Sequence, residues 1–270
     1  MAGTPSVLIG VIDVTHPHDN SSAIRLRKLI GEDRAAKLRP REHPLGLGLA
    51  ALSKADQGDV LKEVEVRALG ELNLIGRTLG ELQKSWKPFA KRVAQDLGDA
   101  SRCESLIFEL HTARIICKGV VGKIIWTRYR EGEPDLTLKR PRLAVECKLL
   151  RSERRRRRDA IAEAADQHRN TSMPLVVSVG VSREMTPQEV ADVIEELPSW
   201  KAWFLNHRRV AAGVIFSPME PPMLGSSGEA PTGSLFQFGN VAIVRSRTAE
   251  PPLPPSFRFR GEDRRTEVGF

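Results

Sequence analysis

One tyrosine in 270 residues is too few for a recognition surface built on stacked tyrosines. Cys103, Cys117 and Cys147, the three cysteines, show no CxxC spacing, which argues against a zinc site. They read as reduced thiols of a cytosolic protein, Cys103 and Cys117 on one helix and Cys147 on a strand. No apolar stretch approaches a membrane span, so no membrane partner is expected. Met1-Ala2-Gly3-Thr4 is neither basic nor followed by a long hydrophobic segment. A secretory signal is therefore not expected, and the expected location is cytoplasmic. There is no internal repeat and no recognisable DNA-reading motif. Gly46-Leu47-Gly48 lacks the third glycine and the flanking elements of a dinucleotide-binding loop.

What is present in excess is positive charge. A formal charge of +8 favours a polyanionic partner. Thirty arginines stand against 12 lysines. The guanidinium fork suits bidentate phosphate contact, although a GC-rich genome would give the same skew. A chain of this length can bury a sizeable core in one large or two small domains.

Residues 6–14 read as a short β-branched strand. His16-Pro17-His18-Asp19, with Asp13 nearby, is a turn in preference to a metal cluster. Ser21 or Ser22 is placed to cap a helix reaching Ile30, and residues 31–58 read as irregular. Ala68, Leu72, Ile75, Leu79, Leu82, Trp86, Phe89 and Val93 then follow alternating steps of four and three, interrupted by Glu65 near the start. This seam over 61–93 suits a homodimer helix or a long helix laid against its own domain. Gly70, Gly76 and Gly80 favour the second. Pro88 should kink or restart the helix, Gly98 should stop it, and Asp99 or Ser101 should open the next.

On that next helix Leu106, Leu110, Ala113 and Cys117 form one apolar stripe, with Glu109 at its edge beside Ile116 and Glu104 on the opposite, solvent face. Strands are expected at 120–126, Leu136–Leu138, Leu143–Val145, Leu175–Val181, Val210–Phe216 and Val241–Val244. A helix over Pro187–Leu205 is opened by Thr186. Alternating strands and helices argue an α/β fold. Residues 218–234 read as a loop, and the proline-rich stretch from Glu250 as an extended tail.

Two of these strands carry chemistry. Pro134-Asp135 opens one, and Glu146-Cys147-Lys148 ends the other. Alternate side chains share a strand face, so Glu146 and Lys148 point one way and Cys147 the other, towards a core. If Lys139-Arg140-Pro141 turns the two strands into a hairpin, Asp135 lies beside Glu146. Two carboxylates can hold a hard divalent cation that polarises a phosphate and acidifies a bound water. The lysine can neutralise developing charge or position that water. The bland alternative is a hairpin with ordinary surface charges. Arg151 and the unbroken run Arg154, Arg155, Arg156, Arg157 and Arg158 follow, ahead of a helix with Ile161, Ala164, Ala165 and His168 on one side. The run is either a phosphate clamp or a solvated helix start. The second is awkward, because cations are disfavoured at a helix N-terminus.

Pro134-Asp135, a spacer and Glu146-Cys147-Lys148 resemble the signature of the PD-(D/E)XK nuclease superfamily. The likeness covers about residues 100–182, with the family's order of helix, three strands, helix and strand. It implies a restriction-endonuclease-like core over 99–248 whose central mixed sheet is flanked by helices. Around that core would lie a mostly helical region over 1–98 of unknown role and a flexible proline-rich tail over 249–270. It implies Mg²⁺, replaceable by Mn²⁺, on Asp135, Glu146 and the backbone carbonyl of Cys147. Lys148 would act on the attacking water and Glu109 would be an auxiliary acid. In some branches a glutamine and a tyrosine stand four apart on the following helix. Gln167 matches, but Thr171 stands where the tyrosine would be, so Gln167 is a weak candidate. The expected activity is metal-dependent phosphodiester hydrolysis, with DNA favoured over RNA. The rivals are a catalytically inactive nucleic-acid-binding module of the same fold and an assembly protein using the heptad seam.

Overall fold

The seam over 61–93 is buried inside the chain. In the computed structural model it lies on α4 (Glu63–Glu81), α5 (Gln83–Trp86) and α6 (Ala90–Leu97), three of the helices that precede the sheet. Leu72, Ile75, Leu79, Leu82, Trp86 and Val93 all enter one apolar core. Glu65, the interruption, is held at the edge of that core by Lys54 at 2.6 Å and accepts the Lys62 backbone N–H at 2.8 Å. Pro88 falls in a short 3-10 turn, Lys87–Phe89, that restarts the chain as α6. The structure describes residues 20–118, 124–150, 154–168, 172–182, 185–196, 199, 210–218, 238–245 and 249–254. The expected strand at 6–14, the His16–Asp19 turn, Arg151 and the loop beyond 218 lie outside the described residues, as do the side chains of Cys117 and of Arg154–Arg158.

Two local expectations fail for the same reason, which is packing from a distance. The first helix, α1 (Ser21–Ile30), takes no serine cap. Asn73 of α4 accepts the Ala23 N–H at 2.9 Å and donates to Asn20 Oδ1 at 3.1 Å, so a neighbouring helix satisfies the helix start. Residues 31–58, expected to be irregular, hold α2 (Glu32–Ala35) and α3 (Gly46–Asp56). Gly48 reads as a breaker, yet it lets α3 lie against α4. A Cβ there would stand 2.8 Å from the Ala68 carbonyl oxygen.

Asp99 opens α7 (Ala100–Lys118) by accepting the Arg102 N–H at 2.9 Å. The single apolar stripe is wrong for this helix. It lies between α4 and α6 on one side and the sheet on the other, so Cys103, Leu106, Ile107, Phe108 and Leu110 are all buried. Glu104, expected in solvent, is buried too, and the Ser182 hydroxyl lies 3.0 Å from its oxygens.

The sheet has six strands in the order of the chain: β1 (Ile124–Trp126), β2 (Leu136–Lys139), β3 (Arg142–Leu150), β4 (Leu175–Val181), β5 (Val210–Pro218) and β6 (Phe238–Arg245). Strands β1, β2 and β3 are antiparallel neighbours, β3, β4 and β5 are parallel, and β6 returns antiparallel. The chain is thus α/β with a mixed sheet and flanking helices. Crossing from β3 to β4 takes α8 (Arg154–Gln167), and from β4 to β5 takes α9 (Pro187–Glu195). Thr186 and Glu189 close a reciprocal cap at the start of α9, as expected of Thr186.

Alternation assigns the faces. Leu136, Leu138, Leu143, Val145 and Val176 join the helical N-terminal region in one core that runs from Ala23 across residue 98. Ala144, Leu175, Val177 and Val179 face α8 and α9 in a second. Gly180 admits the Phe108 ring of α7, because a Cβ would come within 2.4 Å of it. The chain after 249 is not wholly a free tail: Ala249 is buried and Leu253 packs on the larger core.

Candidate active site

The antiparallel register pairs Leu136 with Val145. One step further brings Asp135 beside Glu146, on the face that carries α8. Glu146 and Lys148 share that face. They do not end their strand as expected, since pairing with β4 carries β3 on to Leu150. Asp135 Oδ2 accepts the Cys147 backbone N–H at 2.8 Å, extending the ladder with a side chain one residue ahead of the start of β2. In a strand, a residue's N–H and C=O leave the same edge, so the Cys147 carbonyl points towards this gap as well.

The trio is internally connected. Lys148 Nζ stands 3.0 Å from Glu146 Oε1 and donates to Gln167 Oε1 at 3.3 Å. Gln167 in turn donates to Glu163 at 3.2 Å. His168 Nε2 lies 2.8 Å from Glu146 Oε2, and its ring is buried. Thus Gln167 is brought to the motif. His168 is the residue that sequence reasoning missed. Its one signal was its place beside Ala164 and Ala165 on the buried side of the helix, which any core histidine would share.

Burial and the neighbouring Glu146 push the Asp135 carboxyl up to about 6. Burial also penalises the Glu146 carboxylate, but His168 and Lys148 outweigh it and hold Glu146 below the usual range. Cys147 is half-buried on the opposite face, packed on the larger core, and burial pushes its thiol well up. It is a packing residue, not a nucleophile.

Glu109 lies across the sheet from the trio. Its oxygens are taken by Arg128 and by Trp126 Nε1, the latter at 2.8 Å. Arg128 and Tyr129 both reach Asp96, at 3.3 and 3.0 Å. Burial, then Asp135, push Glu109 up to about 8, against the pull of Arg128. Its closeness to Asp135 is electrostatic, while its hydrogen bonds are structural. The backbone of Arg154–Arg158 forms the first turns of α8, whereas Gln167 ends it. At 1.5 Å per residue the run begins roughly 14–20 Å from the trio along the helix axis.

The donors fit a hard cation in kind. A buried carboxylate, Glu146, and a half-buried one, Asp135, lie side by side, and Asp135 Oδ1 has no hydrogen bond among the described residues. Among the described residues no three acidic, histidine or cysteine side chains converge to hold a metal. The protein therefore offers two carboxylates and a carbonyl, the kind of sparse site in which Mg²⁺ keeps several waters. Neither protein-family models, nor curated proteins, nor solved structures give a match to this chain.

Proposed function

We propose that the chain is a Mg²⁺-dependent nuclease with a restriction-endonuclease-like core, hydrolysing phosphodiester bonds in DNA in preference to RNA. The observation that carries this reading is the placement of Asp135, Glu146 and Lys148 on one sheet face, with Asp135 anchored to the Cys147 N–H. The order α7, β1, β2, β3, α8, β4 supports it as well.

Asp135, Glu146 and the Cys147 carbonyl would hold the cation, with Mn²⁺ able to substitute. The cation would supply Lewis acidity and a more acidic bound water. His168 and Lys148 fix the orientation of Glu146 by taking one oxygen each. Lys148, held between Glu146 and Gln167, presents an ammonium that can position the attacking water or neutralise charge growing on the phosphate. Glu109, held by Arg128 and Trp126, would support the site from across the sheet without touching the cation. The arginines that open α8 would hold the backbone of the same strand, beyond the scissile phosphate.

One observation favours a non-catalytic nucleic-acid-binding role. Both Glu146 oxygens already have partners, so this carboxylate is satisfied without a cation. Incubation of the protein with plasmid and with single-stranded DNA, in Mg²⁺, in Mn²⁺ and in chelator, separates the two. Cleavage that requires either cation supports the nuclease. Binding with no cleavage in either cation ends that reading.

A further inference from the structure

Beside the trio, on the same sheet face, a cleft of about 800 Å³ opens between the β2–β3 hairpin and the end of α8. Its walls are mixed. Ile125 and Met173 are apolar, Thr137 is polar, and Gln167 and His168 belong at once to the cleft and to the trio. Lys139, Arg140 and Arg142 stand at its rim. All three are exposed, and none makes a hydrogen bond or ion pair with any described residue. Glu133, an acid of the same lining, is paired with Arg130 at 3.7 Å. Three cations without a partner among the described residues, beside an aliphatic slot, concentrate positive potential at the mouth of the cleft. This arrangement suits a ligand with anionic groups and flat apolar faces.

We infer that this cleft binds an unpaired nucleotide of a single-stranded nucleic-acid segment next to the scissile phosphate. The inference rests on the nucleic-acid reading above and specifies its substrate. Arg142 lies four residues before Glu146 in β3, about 13 Å away, a distance that a few nucleotides cover. The hairpin cations hold phosphates on one side of the trio, and the α8 arginines lie towards the other end of the helix. A base in a duplex keeps its faces stacked and its edge paired, so only an unpaired base can enter between a strand and a helix end. Ile125 and Met173 offer it apolar contact, and the volume falls in the range of roughly 300–1,000 Å³ typical of ligand sites.

The test uses the full chain, a fluorescent thymidine strand of about eight nucleotides and a blunt duplex of the same length, with binding measured in chelator. The single strand should bind more tightly than the duplex. In the variant Lys139→Ala, Arg140→Ala, Arg142→Ala, affinity for the single strand should fall on the order of 100-fold near 0.1 M salt. Its log–log salt slope should become shallower by about 2, since three phosphate contacts of a single strand are lost. Ile125→Ala should weaken binding at every salt concentration without changing the slope. Equal binding of strand and duplex, or an unchanged slope in the triple variant, overturns the inference. Cleavage of plasmid by the wild-type protein in Mg²⁺ reads the nuclease proposal separately. Cleavage with an unaffected triple variant ends the subsite alone. The expected salt slope without any cleavage ends the nuclease alone.

Discussion

His168 Nε2 lies 2.8 Å from Glu146 Oε2, and the two residues are 22 positions apart in sequence. The contact sets the orientation of a carboxylate that would otherwise be free to turn towards Lys148 alone.

Loss of that ring is the first variant to make. His168→Ala should lower Mg²⁺-dependent cleavage about 10–100-fold, the usual effect of removing a group that orients a metal ligand. His168→Gln, which can still donate to Glu146, should recover part of the loss. Circular dichroism must show both variants folded. Wild-type cleavage in the folded alanine variant would remove His168 from the site.

Lys148→Ala leaves both carboxylates in place and removes the ammonium. Cleavage should fall by about two orders of magnitude or more. DNA affinity should change little, because one contact among many is lost. Wild-type rates in the variant would show that the catalytic assignment is wrong.

Replacing Arg154–Arg158 with alanine should do the reverse. Affinity should drop and the salt slope should become shallower, while turnover at saturation is less affected. An unchanged slope would make the run a solvated helix start.

Asp135 titrates near 6 in the folded chain against an ordinary 3.8. The native state therefore holds this proton at pH values where the unfolded chain has lost it, so Asp135 erodes stability as pH rises from about 4 to 6. Glu146, held below its ordinary 4.5, works the other way and loses its contribution only as pH falls below that range. Asp135→Asn should keep the bond to the Cys147 N–H, raise metal-free stability above pH 6 and abolish cleavage. In the wild type, proton and Mg²⁺ compete for Asp135, so calorimetric Mg²⁺ affinity should rise with pH and level off above about 6–7. Metal affinity that is flat from pH 5 to 8 would exclude Asp135 as a ligand.

The seam of α4 is closed within the chain: Leu72 is 1% and Leu79 is 2% exposed. Leu72→Asp with Leu79→Asp should unfold the protein by burying two charges without partners. Light scattering that shows a wild-type dimer, replaced by a folded monomer in this variant, would contradict the intramolecular packing.

The placement of Asp135, Glu146 and Lys148 was legible before any coordinates, because a strand has period two and a hairpin permits one register at a time. Once Leu136 faces a core, Asp135 must face away from it, and the same holds for Val145 and Glu146. Strands β2 and β4 and the caps at Asp99 and Thr186 were legible for a related reason, since each depends on neighbours within a few residues. Tertiary structure alone decided the rest. Glu104 is buried because α7 is covered on two sides, and no periodicity along one helix reveals what lies on its second side. Glu109 is taken by Arg128 and Trp126, and Glu146 by His168, across 17 to 22 residues of chain. Asn73 supplies the cap of α1 from 50 residues away. Local pattern determines which way a side chain points, because backbone sterics fix the period. What meets it there depends on packing between elements far apart in sequence, and that packing decides whether a carboxylate is buried, paired or open to a ligand.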